Sequence, residues 1–118
     1  MSGFKQLKVW QVGMDLVIKV YKITESFPKS EMYGLISQLR RCSVSIPSNI
    51  AEGAGRNNVN EFIQFLGIAS GSASELETQL ILLFELNFKT EKEISALLNE
   101  LSEIQKMIYS FKTKLKNG

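Results

Sequence analysis

Residues 90–115, TEKEISALLNELSEIQKMIYSFKTKL, decide the fold class. Ile94, Leu97, Leu98, Leu101, Ile104, Ile108, Phe111 and Leu115 recur at helical spacing, which puts them on one face of a helix. Thr90 and Glu93 form a capping box ahead of that face, with hydroxyl and carboxylate each taking up an amide that the first turn leaves unpaired. No proline or glycine lies inside the run, and no segment of the chain sustains a period-two alternation. Strands are therefore not expected.

Upstream, Phe62, Phe65, Leu66, Ala69, Ala73, Leu76, Leu80, Leu83 and Phe84 predict a third helix reaching about Phe88, with Asn58 and Glu61 as a variant capping box at its start. The stretch Gly53-Ala54-Gly55-Arg56-Asn57-Asn58 supplies the turn before it. A second helix is expected from a Ser30 cap with Glu31 at its positive end, its buried stripe being Leu35, Leu39, Cys42, Ile46 and Ile50. Pro47 lies inside that stripe and predicts a kink, because it removes one backbone hydrogen bond and crowds the preceding turn. A first helix runs from about Leu7 to Ser26 on a face of Leu7, Trp10, Met14, Val17 and Tyr21, with Gly13 as its weak point and Pro28 ending it.

Short links make sequential helices antiparallel, so the expected architecture is all-α, an up-down-up-down four-helix bundle with helix two kinked at Pro47. A chain of 118 residues with 44% hydrophobic and 22% charged residues fits one globular domain spanning 1–118. The single cysteine, Cys42, reads as a small core hydrophobe, and its usage fits a reducing cytoplasm. No segment approaches the run of about 18 apolar residues that spans a bilayer, so no membrane association is expected.

Three features bear on function. The third helix holds Gly67, Ala69, Ser70, Gly71, Ser72, Ala73 and Ser74; so many small residues imply close approach of a neighbouring helix, or else a ligand pocket. On the second helix Gln38, Arg41, Ser45, Asn49 and Glu52 form a polar stripe. It faces solvent, or it points into a contact as a structural network, in which Arg41 needs a carboxylate such as Glu75; a substrate site is the sharper alternative. The charge, finally, is uneven: residues 1–29 carry net +3, residues 30–103 net −5 and residues 104–118 net +4. In the expected bundle Lys5, Lys8, Arg56, Lys112, Lys114 and Lys116 gather at one pole beside the N-terminus of helix three. Such a pole suits the phosphates of RNA or DNA. The sequence pI of about 8.7 lies below the value above 9 usual for a dedicated nucleic-acid domain, so a ring of subunits would be needed to multiply the local field.

Catalysis is not expected. The chain has no histidine, which removes the commonest general base and transition-metal ligand. Glu52-Gly53-Ala54-Gly55-Arg56 lacks the Gly-Lys-Ser/Thr ending and the preceding strand of a phosphate loop. An all-oxygen cation site drawn from Glu52, Glu61, Glu75 and Glu77 is disfavoured because helical spacing sends Glu75 and Glu77 to different faces. No cofactor or metal is expected.

Gln38-Leu39-Arg40-Arg41, Ser45-Ile46-Pro47-Ser48-Asn49-Ile50-Ala51-Glu52-Gly53 and Gly71-Ser72-Ala73-Ser74-Glu75-Leu76-Glu77-Thr78-Gln79-Leu80 together carry a family resemblance, joined by Phe4 to Gln11 and by Phe27-Pro28 to Leu35. Over nearly its whole length the chain resembles the four-helix-bundle proteins encoded in intervening sequences of bacterial large-subunit ribosomal RNA genes. The resemblance implies a bacterial helical bundle, assembled as a ring-shaped homopentamer and related to the accessory proteins of diversity-generating retroelements. Those accessory relatives are basic barrels that engage nucleic acid and a reverse transcriptase, whereas this chain is nearly balanced in charge. Arg41 and Glu75 are then structural partners, with Asn49 and Glu52 in the same polar network. Two functions follow as expectations: a non-enzymatic homo-oligomer that binds RNA or DNA through phosphates, or a protein-interaction scaffold that engages a partner protein through helix three and residues such as Trp10 or Tyr33.

Overall fold

The capping box at Thr90 forms in full in the computed structural model. Thr90 Oγ1 accepts from the Glu93 amide at 3.2 Å, and Glu93 Oε1 accepts from the Thr90 amide at 2.8 Å. The structure describes residues 3–31 and 34–118. Within them the helices are α1 Lys8–Thr24, α2 Leu35–Ala54, α3 Val59–Glu85 and α4 Glu91–Asn117, with 3-10 turns at Gly3–Gln6 and Lys29–Glu31. There is no strand among the described residues.

Each helix packs on the next, and α4 closes back onto α1. Residue numbers rise along one helix as they fall along its neighbour. Arg40 of α2 reaches Thr24 of α1 while Pro47 lies beside Gly13; Gln105 of α4 reaches Ser70 of α3 while Phe111 meets Phe62. The result is a body of 46 × 22 × 20 Å whose core is Leu16, Val20, Leu39, Ile46, Ile50, Leu66, Leu76, Leu80, Leu83, Leu101, Ile104 and Ile108. Burying such side chains contributes about 1.5–3 kcal/mol each before chain entropy is subtracted.

Three boundaries differ from the sequence reading. Helix α2 does not start at a Ser30 cap; Ser30 lies in the 3-10 turn, and the helix starts after Gly34. Keeping Gly34 outside avoids the cost of roughly 1 kcal/mol that glycine imposes in a helix interior. Helix α1 ends at Thr24, whose hydroxyl donates to the Val20 carbonyl at 2.8 Å and accepts from Arg40 Nε at 3.0 Å. Helix α3 ends at Glu85 rather than near Phe88, because Asn87 takes a left-handed φ of 63°. The Asn87 and Phe88 amides then donate back to Phe84 and Leu83 at 3.0 and 2.9 Å, which closes the helix with a Schellman motif. Phe88 also packs on Phe27, with ring centroids 5.6 Å apart.

The face of α1 is the main correction. The buried positions are Val9, Gly13, Leu16, Val20 and Thr24, whereas Met14 and Tyr21 are exposed. Apolar residues cover a wide arc of this helix, and Gly13 and Thr24 do not read as core by type. Gly13 is buried against Pro47 of α2, and α2 continues as helix through that proline to Ala54.

Candidate functional site

The ends of all four helices meet at one pole. Phe62 at the start of α3 lies edge-on to Phe111 near the end of α4, with centroids 5.1 Å apart. At the end of α2, a Cβ built on Gly53 would lie 2.8 Å from Phe65 Cβ and 2.9 Å from Phe62 Cδ1. The start of α1 and the end of α4 border an open cavity of about 280 Å³ lined by Leu7, Lys8, Val9, Met107, Ser110, Phe111 and Lys114.

The six basic residues singled out in the sequence fare differently here. Lys8 and Lys114 share that cavity. Lys112 turns over α3, its Nζ 3.7 Å from where a Cβ on Gly67 would stand. Lys5 and Lys116 are exposed. Arg56 is already occupied by carboxylates: Nη2 contacts Glu52 at 2.9 Å, Nη1 contacts Glu61 at 3.3 Å, and the guanidinium lies 5.0 Å from the Phe65 ring. Two carboxylates on one guanidinium leave that corner net negative. Glu61 also turns its side chain to Arg56, so the α3 box is half-formed, with only Asn58 Oδ1 accepting from the Glu61 amide at 3.0 Å.

A second arrangement lies where α2 meets α3. Ser45 Oγ and Ser72 Oγ are 2.8 Å apart, and Asn49 Nδ2 donates to the Ser45 carbonyl at 2.8 Å and to Ser45 Oγ at 2.9 Å. The Cys42 thiol donates to the Ser72 carbonyl at 3.4 Å. Burial, and the Glu75 charge nearby, push that thiol up from its ordinary pKa. Above this floor opens a groove of about 330 Å³ bordered by Gln38, Arg41, Glu75 and Gln79. Arg41 and Glu75 thus share a groove, with no ion pair within 4 Å between them among the described residues. Glu52 belongs to Arg56 rather than to the Asn49 cluster.

The small residues of α3 divide likewise. Ala69, Ser72 and Ala73 are buried, while nothing lies within 4 Å of a Cβ built on Gly71.

Comparison with known proteins now bears on this geometry. A family model described as 23S rRNA-intervening sequence protein matches residues 5–110. The chain belongs to this family. Among solved structures, it is similar to the crystal structure of a protein with unknown function from the S23 ribosomal protein family of Bacteroides thetaiotaomicron VPI-5482. That likeness has 25% identity and a TM-score of 0.79, covering 88% of this chain and 97% of the other. No curated protein matches. Membership of the 23S rRNA-intervening sequence family brings with it the all-helical fold seen here.

Among the described residues no helix is long and apolar enough to cross a membrane, and no three His, Cys, Asp or Glu side chains gather as a metal site. Two features escaped the sequence reading. The cavity between α1 and α4 has no signature in periodicity, since it depends on how far apart two helix ends are held. The groove of about 340 Å³ lined by Trp10, Met14, Val17, Val44, Pro47, Ser48 and Ala51 draws three of its residues, Trp10, Met14 and Val17, from the α1 face that the sequence pattern assigned to the core. Tyr33, named with Trp10 as a protein contact, lies outside the described residues.

Proposed function

We propose that this member of the 23S rRNA-intervening sequence family is a non-enzymatic, cytoplasmic homo-oligomer that binds RNA or DNA through phosphates. The observation that carries the reading is the pairing of Lys8 with Lys114 across one cavity at a pole to which both basic chain ends contribute. Lys5, Lys112 and Lys116 extend the patch, and Arg56 drops out of it because Glu52 and Glu61 neutralise it. A homopentamer, which the family resemblance implies, would repeat the patch around a ring and raise the local potential. Self-association is favoured by the half-open apolar groove between α1 and α2 that Trp10, Met14 and Val17 line.

Binding of a single-stranded RNA across a salt series tests this. Neutralising one phosphate at each of Lys8 and Lys114 gives a log–log slope of about −1.4, rising to about −3.5 when all five lysines take part. Charge reversal at Lys8 and Lys114 should abolish binding, and salt-insensitive binding would count against the reading. In the second reading the same α1–α2 groove receives a partner protein's side chain; Met14→Glu would then release that partner while RNA binding stayed unchanged.

A further inference from the structure

Phosphate binding by surface lysines needs no cavity, yet one of about 280 Å³ lies between Lys8 and Lys114. Leu7, Val9, Met107 and Phe111 make its walls apolar, Ser110 is the one neutral polar side chain in its lining, and no carboxylate borders it. Neither lysine makes an ion pair among the described residues. The site is therefore an open apolar groove whose lining includes two cations without an ion-pair partner.

That combination narrows the occupant. A free phosphate would leave the apolar walls wet. An apolar side chain would sit beside two ammonium groups without supplying their counter-charge. A duplex offers phosphates but keeps its bases stacked inside. A single strand supplies both parts at once: a flat ring that gains from apolar and aromatic contact, tethered between two phosphates.

We propose that this cavity seats one unpaired base of a single-stranded nucleic acid, with the flanking phosphates on Lys8 and Lys114. The inference rests on the nucleic-acid reading above and names the form of nucleic acid that the site selects. Selection is for single strands over duplexes and is tolerant of base identity, because only Ser110 is placed to read an edge and every base has a π face.

Fluorescence anisotropy at one low salt concentration tests it with three probes: a short mixed-sequence RNA, the same sequence as a duplex, and an abasic strand of equal length. The single strand should bind about tenfold or more tightly than either of the others, as a single base stack implies. Ser110 is exposed at the mouth, so Ser110→Leu fills the recess without altering charge or core. In that variant the single and abasic strands should bind alike, with the salt slope unchanged. Equal binding of single and abasic strands by the native protein would overturn the base site and leave phosphate binding intact. Binding of none of the probes would remove both readings. A tenfold preference surviving in Ser110→Leu would place the base elsewhere and overturn the assignment, as would saturation by dodecanoate that no strand displaces.

Discussion

The α2–α3 and α1–α4 sides of the bundle are built on different principles. Where α2 meets α3, backbones come close enough that a Cβ on Gly53 would overlap Phe65, and the polar groups between them are short: Ser45, Ser72 and Cys42. Where α1 meets α4, long side chains span the gap. Lys19 reaches Glu100 at 2.6 Å and Asp15 at 3.0 Å, and cavities open on either side of that bridge. The α2–α3 contact is the most extensive in the bundle and the α1–α4 contact the least of the neighbouring helix pairs. Small residues let helices close and give rigidity; long ones hold helices apart and leave room for a ligand.

Substitutions can break or sharpen that contrast. The largest effect is expected at Leu76, fully buried on α3. Leu76→Ala should cost about 2–5 kcal/mol in urea unfolding, and Met107→Ala, on the cavity wall, about 1 kcal/mol. Equal losses would erase the distinction. Next come two glycines of opposite sign. Gly53→Ala should destabilise, because overpacking costs about 1–3 kcal/mol and the new Cβ would also lie 3.3 Å from the Phe62 carbonyl. Gly71→Ala, with nothing within 4 Å, should gain about 1 kcal/mol and raise Tm. A stabilised Gly53→Ala would mean that α2 and α3 are not closely apposed.

Smaller still, Ser72→Ala removes the partner of the Ser45 hydroxyl and should cost about 1 kcal/mol at any ionic strength. Lys19→Met on the opposite side should lower the urea midpoint more at low salt than at high salt, since Lys19 and Asp15 are exposed and screened while Glu100, only 18% exposed, loses its partner at any ionic strength. The smallest effect is on the acid limb. The Thr90 amide and hydroxyl hold Glu93 below its ordinary pKa of 4.5, and Lys19 holds Asp15 below 3.8. Each carboxylate therefore stabilises the fold above those values, and the contribution is lost as pH falls through the depressed ones. Glu93→Gln should flatten the urea midpoint's fall with pH across that window; an unchanged profile would separate the capping box from acid stability.

The helices α3 and α4 were legible because their apolar residues recur at regular helical spacing, and Thr90 and Asn58 mark their starts by side-chain chemistry. The face of α1 was not, because its buried positions include Gly13 and Thr24, which are core only by virtue of Pro47 and Arg40 on the neighbouring helix. For the same reason Arg56 read as a free cation: only the fold shows that Glu52 one turn back and Glu61 across the link both reach it. Lys8 and Lys114 were placed at one pole by topology, but the recess between them depends on helix separation, which sequence spacing does not encode.

Asn87 has a consequence for assembly. Its left-handed backbone, followed at once by the Thr90 box, reverses the chain between Glu85 and Glu91 and locks both sides of the reversal with hydrogen bonds. Exchange of α4 between copies would require that hinge to straighten into a continuous rod and surrender those bonds. In the proposed homo-oligomer, copies would therefore meet as finished folds, so that assembly would be governed by how often two surfaces collide and not by how often one molecule opens.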